Sequence, residues 1–266
     1  MLRTRVISGL LFLPIFYLVA WELPPEYFTA LVLAAVLVGQ YEFYRMARAC
    51  GFQPLSLIGM AHGALVLLSF YGPLHPHLGT LFPVAVSMLV IMIARLFSAR
   101  PVDGALEDIA STFLGVFYVA LLFAFQVAIR TGPDGKQWLV FLYFIIWATD
   151  IGAYSIGRPF GKHRLYEKVS PKKSMEGLAG ALAASAGMAL LCRVWFMPPI
   201  SVQEAVAIAL ALAVFGTIGD LVESLLKRSA GVKDSGSVIP GHGGILDRMD
   251  SMLFAAPVLY YYLRIR

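Results

Sequence analysis

Long apolar stretches dominate the chain, and short polar, proline-containing or glycine-containing segments separate them. About 20 consecutive apolar residues are enough for an α-helix to cross the hydrocarbon core of a bilayer, whereas strands of a membrane barrel need only about ten residues of alternating character. The pattern therefore predicts an all-α, polytopic integral membrane protein with about nine transmembrane helices. Their approximate limits are 6–21, 27–44, 57–71, 78–97, 106–129, 138–157, 177–197, 202–226 and 249–264.

The composition supports this fold class. Of the 266 residues, 59% are hydrophobic and only 14% are charged, with a mean hydropathy of +0.76. Soluble domains carry about a quarter charged residues, so a soluble globular domain, a disordered chain and a nucleic-acid-binding domain are all excluded. The two cysteines, Cys50 and Cys192, are too few for a disulfide framework or a four-ligand zinc site.

The basic residues predict the orientation. If the N-terminus is cytoplasmic, the 21 Lys and Arg residues all fall on the inner side except Arg130, Lys136, Arg193, Arg264 and Arg266. Cytoplasmic loops carry an excess of Lys and Arg, so this asymmetry favours an odd number of spans. The first span follows Arg3 and Arg5 but lacks a small-residue cleavage site, and we expect it to be a retained anchor.

Polar segments divide the chain into two regions. Residues 1–137 are predicted to form an N-terminal transmembrane region, spans one to five, with little candidate chemistry. Residues 138–266 are predicted to form a C-terminal catalytic transmembrane region. It contains two polar cytoplasmic loops, 158–176 and 227–248.

Charged residues inside the later spans are candidate functional groups, because burying each one in a bilayer costs roughly 2.5–3.5 kcal/mol on insertion scales. Span six contains Asp150. Span eight ends with a polar stripe at helical spacing, formed by Asp220, Glu223, Ser224 and Lys227. Ion pairs at the membrane interface are the alternative interpretation of this stripe.

A third acidic pair precedes span nine. Asp247 and Asp250 straddle Arg248 and follow His242-Gly243-Gly244. Paired glycines let the backbone approach a ligand closely or adopt positive φ, although they also suit a plain turn. Carboxylates at a helix N-terminus are the alternative interpretation of the acids.

These acids and a nearby basic segment suggest metal-assisted phosphate chemistry. Two carboxylates about 4 Å apart repel by roughly 4 kcal/mol at an effective dielectric of 20, and a divalent cation relieves that repulsion. Mg²⁺ prefers one or two carboxylates plus waters and substrate phosphates. The segment Ser170-Pro-Lys172-Lys173-Ser174 could bind phosphate, although cytoplasmic charge that attracts anionic lipid is the simpler alternative.

The segment from Ser224 to Asp250 resembles the signature of the phosphatidate cytidylyltransferase family, also called CDP-diacylglycerol synthases. The runs Asp150-Ile-Gly-Ala-Tyr154 and Ser170–Gly177 also resemble that family, and the resemblance begins at about residue 138. It implies a magnesium-dependent transfer of the cytidylyl group of CTP to phosphatidic acid, giving CDP-diacylglycerol and pyrophosphate for phospholipid biosynthesis. It also implies a multi-pass protein of the bacterial inner membrane with a cytoplasmic active site. The family is associated with a second cation, K⁺. A homodimer is left open.

The residues and the resemblance together predict the site. The predicted catalytic residues are Asp220, Asp247, Lys227 and Arg248. The predicted metal ligands are Asp220 and Asp247, with Asp150 and Asp250 as supporting groups or ligands of the second cation. The predicted substrate-binding residues are Ser170, Lys172, Lys173, Ser174, Ser224, Arg228, Lys233, Asp234, His242, Gly243 and Gly244. Which basic residues bind CTP and which bind phosphatidate stays open, and His242 could equally be a turn residue.

Two other functions fit the sequence less well. A secondary transporter could use Asp150 and Asp220 as cation or proton sites, but that predicts internal repeats, which we do not find. A CDP-alcohol phosphatidyltransferase would have an Ala-Arg pair after its first Asp-Gly, and here Ala105-Leu106-Glu107 follows Asp103-Gly104.

Overall fold

The computed structural model describes residues 14–72, 79–238 and 243–266, and most of these are helical. A short π-helical segment, Leu18–Glu22, precedes the first long helix. The helices are α1 (Pro25–Ala49), α2 (Ser56–Tyr71), α3 (Leu81–Leu96), α4 (Ala105–Thr131), α5 (Gly135–Phe160), α6 (Met175–Trp195), α7 (Val202–Ser229) and α8 (Leu246–Ile265).

The helices confirm the prediction of a helical membrane protein. Within the described ranges, α1, α4, α5, α6 and α7 are long and apolar enough to cross a bilayer, and α2 and α3 are shorter apolar helices. Helix α8 covers the predicted ninth span and begins with charged residues. The predicted first span starts among residues that are not described. The total of nine spans and the cytoplasmic N-terminus therefore stay predictions.

A small sheet lies in one of the polar loops of this all-α fold. Strands β1 (Arg164–Tyr166) and β2 (Ser170–Ser174) pair antiparallel within the polar segment 158–176, with Arg164 opposite Ser174. This segment is too polar to be a span, and a hairpin gives its backbone N–H and C=O groups partners without a helix. The sheet thereby connects α5 to α6.

The chain forms two compact units. The first contains the described residues up to Thr131 together with the described part of Lys227–Met249, and the second contains Gly132–Leu226 and Asp250–Arg266. Most of the loop 227–248, predicted to serve the C-terminal catalytic region, thus packs with the N-terminal helices. The functional division at residue 137 itself stays a prediction.

In the first unit, α1 carries polar side chains that satisfy irregular backbone in its neighbours. Helix α4 contains a π-helical stretch, Gly115–Leu121, and such stretches disturb the regular hydrogen-bond ladder. Gln40 Nε2 donates to the carbonyl oxygens of Gly115 (3.2 Å) and Gly59 (3.0 Å). A buried side chain therefore joins α1, α2 and α4, which suits an apolar environment that offers no water.

In the second unit, α5 and α6 pack backbone against backbone. A Cβ atom added to Gly152 would lie 2.4 Å from the carbonyl oxygen of Gly180, and one added to Gly180 would lie 2.7 Å from that of Gly152. Small residues allow this close approach, which is a common device in membrane helix pairs. The packing fixes the position of the hairpin between the two helices.

Candidate active site

Asp247 is the centre of a hydrogen-bonded cluster in the first unit. It lies in the first turn of α8, and its side chain is 5% exposed. Its Oδ1 accepts from Lys227 Nζ at 2.6 Å. Its Oδ2 accepts from the N–H groups of Gly244 (2.8 Å) and Ser235 (2.9 Å) and from the Ser235 hydroxyl (3.0 Å). One carboxylate thus joins the end of α7, residue 235 and the start of α8.

These contacts keep Asp247 ionised. Burial disfavours the charged form, but the hydrogen bonds from Lys227, Gly244 and Ser235 outweigh burial and lower the pKa of Asp247 below its ordinary value. Gly243 has φ +82°, and a Cβ there would lie 2.7 Å from Asp247 Oδ2. Glycine suits this position for two reasons, because φ is positive and because a side chain would collide with Asp247.

The first unit also contains a residue that the sequence analysis missed. Glu42 on α1 is 1% exposed. Its carboxylate accepts from the N–H groups of Ile245 (3.1 Å) and Leu246 (3.0 Å) and from the Ser235 hydroxyl (3.1 Å). Glu42 lies inside the predicted second span, and the cost of burying a charge there was the signal that could have identified it.

In the second unit, a cavity of about 720 Å³ opens beside the hairpin. Helices α5 and α6 supply small residues to its wall, including Ala153 and Gly177. Its charged lining residues are Asp150, Arg158, Arg164, Lys172, Lys173 and Asp220. Four cations and two carboxylates in one cavity suit a ligand that carries phosphate and a metal ion.

Asp220 on α7 lines this cavity and has an ion-pair partner. Its Oδ2 pairs with Lys173 Nζ at 2.5 Å, and its Oδ1 accepts from the Ser224 hydroxyl at 3.4 Å. The carboxylate of Asp250 on α8 interacts electrostatically with those of Asp220, Glu223 and Asp150. Helices α7 and α8 approach closely here, since a Cβ on Gly219 would lie 2.6 Å from the carbonyl oxygen of Asp250.

Ser174 and Glu176 hold the hairpin on α6. Ser174 is the N-cap of α6, and its hydroxyl accepts from the N–H of Gly177 at 3.1 Å. Glu176 accepts from the backbone N–H of Lys162 (3.1 Å) and from His163 Nδ1 (2.6 Å). Ser174, one of the predicted substrate-binding residues, therefore lines the cavity and also has a structural role as a helix cap.

The structure brings some predicted site residues together and separates others. In the second unit the cavity collects Asp150, Lys172, Lys173, Ser174 and Asp220, with Arg158 and Arg164 as additions that the site prediction did not include. In the first unit Lys227, Gly243, Gly244 and Asp247 are neighbours. Ser170 begins β2 opposite Tyr166, outside the cavity lining. Arg228, Lys233, Asp234 and Arg248 are exposed. His242 lies outside the described residues.

Within the described ranges, no three Asp, Glu, His or Cys side chains lie close enough together to bind a metal ion by themselves. Asp220 belongs to the second unit and Asp247 to the first, so their sharing of one magnesium ion stays a prediction.

The fold and the two clusters define a helical membrane protein with carboxylates and cations arranged for phosphate chemistry. The sequence pattern of the cytidylyltransferase family matches residues 3–266, and the chain belongs to that family. A phosphatidate cytidylyltransferase of Bacillus subtilis is 33% identical over 98% of this chain and 95% of its own length. One from Synechocystis sp. is 33% identical over 89% of this chain and 88% of its own length. One from Staphylococcus saprophyticus is 41% identical over 57% of this chain and 58% of its own length.

Proposed function

We propose that this chain transfers the cytidylyl group of CTP to phosphatidic acid, giving CDP-diacylglycerol and pyrophosphate for phospholipid biosynthesis. The observation that carries the proposal is the cavity of the second unit, where Asp150 and Asp220 lie among four basic side chains. The names of the relatives and the membership of the family support the same reaction.

The reaction requires positioning and charge neutralisation more than covalent chemistry by the protein. A phosphate oxygen of phosphatidic acid attacks the α-phosphorus of CTP. The bond from that phosphorus to the bridging oxygen breaks, and pyrophosphate leaves in line. The nucleophile is already anionic, so no general base is needed. In the cavity, we propose that phosphate oxygens are neutralised by four basic side chains, Arg158, Arg164, Lys172 and Lys173. On the signature segment, we propose the same role for Lys227, Arg228, Lys233 and Arg248.

The acids fit a hard divalent cation. Mg²⁺ takes oxygen ligands and usually keeps several waters, so one or two carboxylates completed by substrate phosphates are enough. We propose Asp220 and Asp247 as its protein ligands, with Asp150 and Asp250 available to a second cation, K⁺. Magnesium would stabilise the negative charge that develops on the phosphates. Asp247 Oδ1 already accepts from Lys227, so metal binding there requires that contact to loosen.

We also propose the topology that the basic residues predict: nine spans, a cytoplasmic N-terminus and an active site at the cytoplasmic face of a bacterial inner membrane. The hairpin and the segment 227–248 would then lie on the cytoplasmic side, where CTP is available. Fusing a reporter that is active only in the cytoplasm to the loop after α5 checks this, because a silent fusion contradicts the orientation.

The direct test of the reaction uses the purified protein in detergent micelles with CTP, phosphatidic acid and Mg²⁺. We expect pyrophosphate release that depends on both substrates, and its absence from well-folded protein refutes the proposal. Asp220→Asn should reduce turnover at least about 100-fold if it holds the metal. The matched control is Asp103→Asn, because Asp103 is an exposed acid between α3 and α4, and it should keep normal turnover.

The same assay shows which of the two substrates binds in the cavity. Arg164→Gln should raise the KM of whichever substrate places its phosphate there, about tenfold for one charge-assisted hydrogen bond. Lys168→Gln removes an exposed cation of the same hairpin that does not line the cavity, and it should leave both KM values unchanged. A change in the KM of phosphatidate alone assigns the cavity to the lipid head group, and a change in the KM of CTP alone assigns it to the nucleotide.

A further inference from the structure

Glu42 stands out because it is a buried carboxylate, far from the signature segment in sequence, whose hydrogen-bond partners among the described residues lie in that segment. It lies on α1, and its three hydrogen-bond donors are at residues 235, 245 and 246. A charge this deeply buried is costly unless hydrogen bonds compensate it. The first half of the chain was expected to be poor in functional chemistry, so this residue carries information that the sequence pattern did not.

The contacts of Glu42 fix the start of α8. The first N–H groups of a helix have no acceptor within the helix, and a carboxylate there also interacts favourably with the helix dipole. Glu42 Oε1 accepts from Ile245 and Oε2 from Leu246, so both oxygens are used at this helix start. The next residue along α8 is Asp247.

Ser235 couples Glu42 to Asp247. This serine is fully buried, and its hydroxyl lies 3.1 Å from Glu42 Oε2 and 3.0 Å from Asp247 Oδ2. Its carbonyl oxygen accepts from Arg45, one helical turn after Glu42, at 3.0 Å. Two residues of α1 therefore hold the backbone and the side chain of residue 235.

Two glycines make room for the carboxylate. A Cβ added to Gly236 would lie 2.1 Å from Glu42 Oε1, and one added to Gly244 would lie 2.5 Å from both carboxylate oxygens. The signature segment thus approaches the Glu42 carboxylate closely at two positions where a side chain would collide with it.

We infer that Glu42 is a positioning residue for the reaction: it holds Ser235 and the start of α8 so that Asp247 presents its carboxylate in one orientation. The inference rests on the proposed function, in which Asp247 binds magnesium, and it assigns that magnesium to the phosphates of CTP. Glu42 itself touches neither substrate.

The test compares Glu42→Gln with the wild-type chain in two measurements. Glutamine keeps the volume but replaces one acceptor oxygen with an NH₂ donor, so one N–H of the helix start loses its partner. Hydrogen–deuterium exchange of the amides of residues 244–247 should become about tenfold faster without substrates. In the pyrophosphate assay the KM of CTP should rise about tenfold, whereas that of phosphatidate should stay within about twofold.

Two control variants separate positioning from general stability. Asp108→Asn removes another buried charge of the first unit, one that pairs with Arg95 at 3.0 Å, so it should lower thermal stability without changing the KM of CTP. Glu107→Gln removes an exposed carboxylate of α4 and should change nothing. If Asp108→Asn raises the KM of CTP as much as Glu42→Gln does, Glu42 is merely structural and the inference is overturned.

Ser235→Ala keeps the test decisive if Glu42→Gln does not fold. It deletes only the hydroxyl between the two carboxylates, and we expect at least about a threefold rise in the KM of CTP with faster exchange at residues 244–247. Wild-type values in both measurements overturn the inference. A wild-type chain that releases no pyrophosphate refutes the proposed function instead, and the exchange experiment still decides whether Glu42 holds the start of α8.

Discussion

Lys227 and Asp247 form a buried ion pair, and we expect their contributions to the free energy of unfolding to be strongly coupled. The two side chains are 11% and 5% exposed, and Nζ lies 2.6 Å from Oδ1. We therefore predict that Lys227→Met and Asp247→Asn each destabilise the chain strongly, and that the double variant is much more stable than the sum of the two losses implies.

The expected magnitude follows from the geometry. At 2.6 Å and an effective dielectric of 20, the gross attraction is about 6 kcal/mol. Desolvation of both charges consumes part of this, and removing one partner of a buried pair typically costs about 3–5 kcal/mol, because the other charge stays buried. We expect about 3 kcal/mol for each single variant, about 4 kcal/mol for the double variant, and thus a coupling of about 2 kcal/mol.

The assay is the free energy of unfolding of the detergent-solubilised protein, measured by titration with SDS and followed by tryptophan fluorescence. If the double variant loses the sum of the single losses within about 0.5 kcal/mol, the pair is not coupled and the reasoning fails. Turnover gives a second comparison. The double variant should be as inactive as the single variants, because both residues are also proposed to act on the metal or the substrate.

Two further predictions concern the second unit. Ser174→Ala should lower the unfolding free energy by about 1 kcal/mol because it removes the N-cap of α6, while Ser174→Asp should retain stability, and equal losses in both variants would contradict the capping role. Gly180→Ala should lower the melting temperature in detergent, because the added Cβ would lie 2.6 Å from Ile156. The control on the same helix is Gly187→Ala, where an added Cβ has nothing within 4 Å, and it should be neutral or stabilising by up to about 1 kcal/mol. Equal melting temperatures for the two variants would contradict the close packing of α5 and α6.

The helices could be predicted because the length of an apolar run is itself the physical requirement for crossing a bilayer. The predicted spans 106–129 and 202–226 correspond to α4 and α7 within a few residues. The hairpin could not be predicted in the same way. Strands of three and five residues without alternating hydrophobicity carry almost no periodic signal, and their pairing depends on α5 and α6 as supports.

The candidate site was predictable in its residue types but not in its pairings. The cost of a buried charge identified Asp150 and Asp220, and applied to the earlier spans it would also have identified Glu42, Arg95 and Asp108. Sequence spacing could not show that Arg95 and Asp108 neutralise each other, or that Glu42 acts on residues about 200 positions later. These pairings depend on tertiary packing.

Asp220 and Asp247, the two carboxylates proposed as metal ligands, share one feature. Asp220 pairs with Lys173 at 2.5 Å and Asp247 pairs with Lys227 at 2.6 Å, and both lysines are proposed to bind phosphate. Each lysine can move from its carboxylate to a phosphate oxygen when a metal–nucleotide complex binds, because the metal ion then supplies the positive charge beside the carboxylate.

This exchange makes a specific prediction for Lys173→Met. If Asp220 binds magnesium as proposed, Lys173 competes with the metal in the absence of nucleotide, so its removal should increase the thermal stabilisation that Mg²⁺ alone gives to the protein. With CTP and phosphatidate present, the same variant should turn over more slowly, because a phosphate ligand is lost. Lys168→Met, which changes an exposed lysine of the same hairpin, should alter neither quantity. Unchanged magnesium stabilisation in Lys173→Met would show that the lysine does not compete with the metal, and the exchange would have to be abandoned.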